Sequence, residues 1–185
     1  MIFGILLLHG YLYYSIVIIL PLFLSNEFGY SDTMAGLIYG GMGASYTLFA
    51  IFLGTTIDRM GIRKIEIFSS AALCIGTVCL AFAYNTALLL ISILILLPLG
   101  GSVGVPAGKI AIRRFTKPQA RSVAFSIVFM VMNIAAMMGF SSDDIFTHNI
   151  SSNHFSAFRL IILAAGVVML ISVVVSFFIR EMDYE

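Results

Sequence analysis

The sequence predicts an all-α membrane protein of six transmembrane helices, and three observations carry that prediction. Hydrophobic residues make up 61% of the 185, well above the roughly 45–50% of a soluble domain. Six runs reach the ~20 mostly apolar residues that a helix needs to cross a bilayer. The lysines and arginines fall on alternate connections, as six successive crossings require.

The first run, 2–24, follows Met1 without the basic stretch or small-residue cleavage site of a signal peptide, and it exceeds the usual signal core in length. It is therefore read as a retained span. SNEFGYSDT leads to the second run, 34–57, and the charged stretch DRMGIRK leads to the third, 65–84. A very short turn around Asn85 and Thr86 opens the fourth run, 87–112. RRFTKPQAR precedes the fifth, 122–140, and a polar stretch over 141–156 precedes the sixth, 157–179. Nothing remains from which to build a soluble domain. Pro98 and Pro106 lie inside the fourth run, where each removes a backbone donor, so a bent helix is expected. Gly36 and Gly40, and likewise Gly100, Gly104 and Gly108, are four apart, a spacing that lets membrane helices approach closely.

Orientation follows from the ten basic residues. Arg59, Arg63 and Lys64 lie in the second connection, Lys109, Arg113, Arg114, Lys117 and Arg121 around the fourth, and Arg180 after the sixth run. Only Arg159 falls on the other side. Positively charged connections stay in the cytoplasm, so both termini are expected there. The 141–156 stretch is then non-cytoplasmic, and it holds Asn149-Ile150-Ser151, a glycosylation sequon of a kind that also arises often by chance.

Other functional classes find little support. The net charge of +1 gives no footprint for nucleic acid or another polyanion. Cys74 and Cys79, five apart on a helix, turn to different sides with no further ligand nearby, so they read as small buried hydrophobes and no metal site is expected. No nucleophile–base pair or phosphate-cradling loop is present, so neither an enzyme nor a cofactor is expected.

The densest cluster of charge is more informative. Gly54, Asp58, Arg59, Gly61, Arg63 and Lys64 form the pattern G-x-x-x-D-R-x-G-x-R-K. Gly61 permits a tight reversal, and Arg63 and Lys64 suit an anionic lipid face. Asp58, at the C-terminal end of a helix, opposes the helix dipole and calls for a partner. A solvated loop that only fixes topology accounts for the cations. The whole pattern, placed between the second and third spans, resembles the signature loop of the major facilitator superfamily. That resemblance implies half of a twelve-helix fold, in which each six-helix half is built of two three-helix repeats and substrate binds between halves near the midplane. Residues 1–185 correspond to the amino-terminal half. Helices 7 to 12 are missing, so the chain is expected to be a fragment of a longer transporter, or else to pair with a second six-helix chain. The resemblance also implies that the signature residues, Asp58 above all, help to latch the two halves in an outward-open state.

Two further segments resemble the proton-coupled peptide transporter branch of that superfamily. HGYLYY, from His9 to Tyr14, is similar to its E-R-F-x-Y-Y ending, with Tyr11, Tyr13 and Tyr14 at the aromatic positions. GVPAG around Pro106 and FSIVFMVMNIAAMMG, over 125–139, resemble its fourth and fifth helices. Leu6, His9 and Gly10 stand where that branch has its coupling glutamates and arginine, and Val105 stands at its lysine. A peptide substrate and that coupling scheme therefore lack the residues that carry them.

Inside the membrane an ionisable side chain costs roughly 2.5–3.5 kcal/mol or more unless it meets water or a partner. His9 is the one histidine within a span, and its side-chain type titrates near physiological pH. Tyr13 lies four residues on, along the same face. The pair reads either as a substrate or proton site, or as a histidine that merely bonds a neighbouring helix. Tyr39 and Tyr46 add polarity to the second span. Asn133, the amide within the fifth, is expected to face another helix or the cavity. Lys109 could reach into a vestibule, whereas Arg113 is expected to snorkel to headgroups. Glu66 and Arg159 lie near the starts of the third and sixth spans, which are otherwise nearly apolar and are expected on the lipid side. Together these features lead us to expect transport of a small-molecule solute across a lipid bilayer by alternating access, facilitative or as proton symport. A transport-incompetent relative acting as a membrane receptor or assembly subunit is the alternative.

Overall fold

The structure is a computed structural model that describes residues 1–149 and 156–179, with 56–58 and 143–149 as backbone alone. Six helices, each long and apolar enough to cross a membrane, make up the bundle. They are α1 (Ile2–Phe28), α2 (Asp32–Met60), α3 (Ile62–Ala81), α4 (Thr86–Phe115), α5 (Arg121–Asn149) and α6 (Ala157–Phe177). The described residues contain no strand.

Side-chain caps open three of these helices. Ser31 accepts from the Met34 amide at 3.4 Å, Asn85 from Leu88 at 2.7 Å, and Ser156 from Arg159 at 3.3 Å. Several ends run past the apolar stretches. α1 continues through Ser25, Asn26 and Glu27 and stops where Gly29 adopts φ 67°, a left-handed cap. The DRMGIRK stretch, expected as a loop, is helical on both sides of one residue: α2 runs to Met60, α3 begins at Ile62, and Gly61 at φ 80° makes the reversal. A side chain is strained at that angle. α5 also continues to Asn149, so most of the segment expected as a polar connection before 150 is helical.

α4 is not uniform. Its Ser92–Leu96 turn is a π-helix, with the Leu97 amide reaching back to the Ser92 carbonyl. Pro98 follows directly. A proline ring collides with the carbonyl four residues earlier, and a widened turn relieves that collision. Pro106 is instead carried within the regular α-helical segment Leu97–Phe115.

The helices pair in a pattern with internal symmetry. α3 packs on α6, α1 on α4, α1 on α5, α2 on α4, α3 on α4, and α1 on α6. Exchanging α1, α2 and α3 for α4, α5 and α6 returns the same set of pairs. This is how two three-helix repeats are expected to assemble.

Glycine sets the closest approach, at α4. A methyl group added at Gly100 would lie 2.7 Å from the Ser69 carbonyl oxygen, and one at Gly108 would lie 2.7 Å from Leu6 Cδ2. Gly36 and Gly40 share the four-residue spacing but not its expected role, because nothing lies within 4 Å of either. They belong to an open face. α2 and α5 are the least covered helices, with 11% and 22% of their apolar windows buried. Leu37, Ile51, Phe52, Phe129, Met130 and Met137 all project from them.

At the end of the bundle opposite the lysines, Arg159 ties three elements together. Its Nε donates to Glu27 Oε2 at 2.6 Å, and its two terminal nitrogens donate to the Ala81 and Ala83 carbonyls at 2.7 and 3.0 Å. The guanidinium also lies 4.6 Å from the Tyr84 ring centroid. Ser156 completes the group by donating to Glu27 Oε1. A buried arginine so placed is satisfied on every side, which explains why α1 carries a glutamate in its last turn.

Candidate functional site

A cavity of about 210 Å³ lies on the inner side of α1, lined by His9, Leu12, Tyr13, Tyr46, Leu73, Gly101, Val105 and Met132. It draws residues from α1 through α5. Its polar groups are few, which fits a small-molecule site whose orientation is fixed by a handful of hydrogen bonds. Tyr13 is 43% exposed, and its ring meets Tyr14 edge-on with centroids 5.4 Å apart. Tyr46 lies across α4 at Gly101, where an added methyl would come within 2.8 Å of the Tyr46 hydroxyl oxygen. Only glycine admits the phenol there.

His9 forms the inner wall. Its side chain is 2% exposed, and Nε2 lies 3.0 Å from Ser70 Oγ, which in turn lies 2.9 Å from Ser172 Oγ on α6. This chain links α1, α3 and α6. Nδ1 has no hydrogen-bond partner. His9 thus bonds a neighbouring helix through one nitrogen and lines the cavity with its ring.

The other sequence candidates separate. Tyr11 points to the far side of α1, where its hydroxyl donates to Ser142 at 3.1 Å and it borders a larger, almost wholly apolar groove of about 440 Å³ between α1, α5 and α6. Tyr39 is half-buried beside the apolar core. Asn133 is exposed on α5, and its amide donates to the Phe129 carbonyl at 2.8 Å, within its own helix. Lys109 is exposed. Among the signature residues, Arg59, Arg63 and Lys64 are exposed at one end of the bundle and Gly54 has nothing within 4 Å. The Asp58 side chain, the Asn149 side chain and the rest of the sequon lie outside the described residues.

One group was underrated from sequence. Glu66 on α3 is 0% exposed, and neither carboxyl oxygen has a hydrogen-bond partner. Its place near a helix start suits a solvated carboxylate equally well. Its being the one acidic residue of the 65–84 run was the available signal. Among the described residues no group of three or more His, Cys, Asp or Glu could hold a metal ion.

Comparison with known proteins places this geometry. The sequence pattern of the Major Facilitator Superfamily matches residues 2–184. No curated protein sequence matches the chain. Among solved structures, the peptide transporter POT in complex with sulfate superposes with a TM-score of 0.83 at 23% identity, over 95% of this chain and 36% of that one. A bacterial homologue of the human drug peptide transporters PepT1 and PepT2 gives 0.81 at 16% identity, over 93% and 39%. The nucleoside transporter NupG gives 0.71 at 15% identity, over 95% and 46%. The chain thus spans less than half the length of each of these transporters, and at these identities the likeness is one of fold.

Proposed function

This chain belongs to the Major Facilitator Superfamily, and from that premise we propose that it forms the amino-terminal half of a transporter that moves a small solute by alternating access. The observation that carries the proposal is the cavity walled by His9, Tyr13 and Tyr46, to which the two least covered helices, α2 and α5, contribute Tyr46 and Met132. A second six-helix body, either a carboxy-terminal half or a second copy of this chain, covers those faces and completes the site. Rocking of one body against the other exposes the cavity to each side in turn, so no bond chemistry is involved. With the basic ends of α2, α4 and α5 in the cytoplasm, both termini are cytoplasmic. The signature residues from Gly54 to Lys64 then lie at the cytoplasmic mouth, where Asp58, Arg59 and Arg63 act in latching.

The solute class is small and partly apolar, because the lining offers aromatic and aliphatic surface with an imidazole and two phenols. His9 couples transport to protons, making the transporter a symporter. Solute uptake into vesicles across a chemically broad panel tests this reading. At least one solute should accumulate, and Gly101→Val, which drives the Tyr46 ring into the cavity, should abolish that uptake while leaving expression intact. Silence across the panel, with no solute raising the melting temperature of the purified protein, would favour the receptor or assembly-subunit alternative.

A further inference from the structure

The Glu66 carboxyl lies in the seam where α1, α3 and α4 meet. Gly108 faces it: a methyl group there would lie 3.4 Å from Glu66 Oε1 and 2.7 Å from Leu6 Cδ2. One turn along α4, Gly104 faces His9, with the corresponding methyl 2.8 Å from Nδ1. Glycine at both positions brings the α4 backbone down over the two groups and excludes solvent from them. Leu6 closes the seam from α1, packing with Ile112, Ala124 and Val128. The same seam therefore holds an unpartnered carboxyl and, one turn nearer the cavity, an unpartnered imidazole nitrogen.

An ionised carboxylate in such a place has no donor among the described residues, and burying it unpaired costs several kcal/mol. A neutral carboxylic acid avoids that cost. Among the described residues the charged groups of the surrounding elements do not bond it: Arg121 of α5 is half-buried, with its Nε itself unpartnered. Lys109, Arg113 and Arg114 of α4, Arg59 of α2, and Arg63 and Lys64 of α3 itself are all exposed, as is Met1 at the start of α1. α6 brings Ser172 and Ser176 to this side of the bundle, both buried. From α1 the nearest ionisable group is His9.

We propose that Glu66 is a proton-binding site, holding its proton while α4 is packed on α3 and losing it when the two part. On parting, water enters the seam, the carboxyl O–H bond breaks, and an N–H bond forms at Nδ1 of His9 through that water. The carboxylate that remains is hydrated. In the tautomer whose Nε2 donates to Ser70, Nδ1 is the free lone pair that this transfer requires. The site thus links a protonation event to the α3–α4 contact, at one remove from the cavity that His9 lines. This deepens the transport reading and rests on it, adding to the rocking of two bodies a local separation of α4 from α3 within this one.

Infrared spectroscopy of the purified chain in lipid nanodiscs tests the site without any solute. At neutral pH the wild type should show the carbonyl stretch of a protonated carboxylic acid. That band should shift when glutamate is labelled with carbon-13, persist in Glu27→Gln, and vanish in Glu66→Gln. Loss of the band only in Glu66→Gln supports the proposal. A wild type without the band, a band that ignores the glutamate label, or one that survives Glu66→Gln would overturn it. Should Glu66→Gln fail to fold, the isotope shift together with Glu27→Gln still decides. A band present in a protein that moves no solute would leave the proton site standing and remove the transport reading. Uptake by a protein lacking the band would do the reverse.

Discussion

Gly104→Ala tests the packing account at its tightest point. The added methyl collides with Ser69 Oγ and lies 2.7 Å from His9 Cε1 and 2.8 Å from Nδ1. Neither neighbour is free to yield, since Ser69 donates to the Gly100 carbonyl at 2.8 Å and His9 is held at 3.0 Å by Ser70. Displacing one breaks a buried hydrogen bond, which costs about 1–3 kcal/mol. Overpacking adds about 1–3 kcal/mol. Alanine recovers about 0.5–1 kcal/mol over glycine within a helix. The net expectation is a destabilisation of about 3 kcal/mol. Gly40→Ala supplies the control, because nothing lies within 4 Å of Gly40 and the helix term acts alone. It should stabilise the isolated chain by about 0.5–1 kcal/mol. Cys74 and Cys79, both half-buried on α3, make a thiol-reactive fluorogenic dye a suitable reporter of melting in detergent. Gly104→Ala should melt well below the wild type, and Gly40→Ala at or above it. Equal melting of Gly104→Ala and wild type, or a fall in Gly40→Ala, would mean that contact at Gly104 does not limit the packing of α4 on α1 and α3.

Three further outcomes follow from the same contacts. Arg159→Ala leaves Glu27 Oε2 and two carbonyls without their donor and should destabilise the chain by about 3–5 kcal/mol in a denaturant titration; adding Glu27→Gln should recover part of that loss, because the carboxylate without its counter-ion is gone. His9→Gln should flatten the pH dependence of uptake while the amide preserves a bond to Ser70, whereas an unchanged pH profile would remove His9 from coupling. Gly40→Ala, harmless to the isolated chain, should weaken association with the second six-helix body in a pull-down from membranes, since it roughens the open face of α2.

The sequence made the membrane class and the six helices legible because composition and apolar run length are local properties. It misjudged features whose cause lies elsewhere in the chain. α1 keeps Glu27 helical because Arg159, far along the sequence, receives it. Glu66 looked peripheral by its position near a helix start, yet Leu6 and Gly108, from two other helices, bury it. Gly36 and Gly104 sit in the same sequence pattern and have opposite surroundings, since spacing alone cannot say whether another helix is opposite. Asn133 finds a partner within its own preceding turn, which residue type and spacing do not reveal. The signature stretch was readable as a pattern of residue types, but not as a one-residue reversal at Gly61.

In alternating access the cavity of His9, Tyr13 and Tyr46 should face each side of the membrane in turn. Tyr13, exposed at its mouth, is the place to test it. With Cys74 and Cys79 replaced by serine, Tyr13→Cys in membranes should react with an impermeant thiol reagent added to either side, and a transported solute should slow both reactions. Reaction from one side only, unaffected by any solute, would contradict the account.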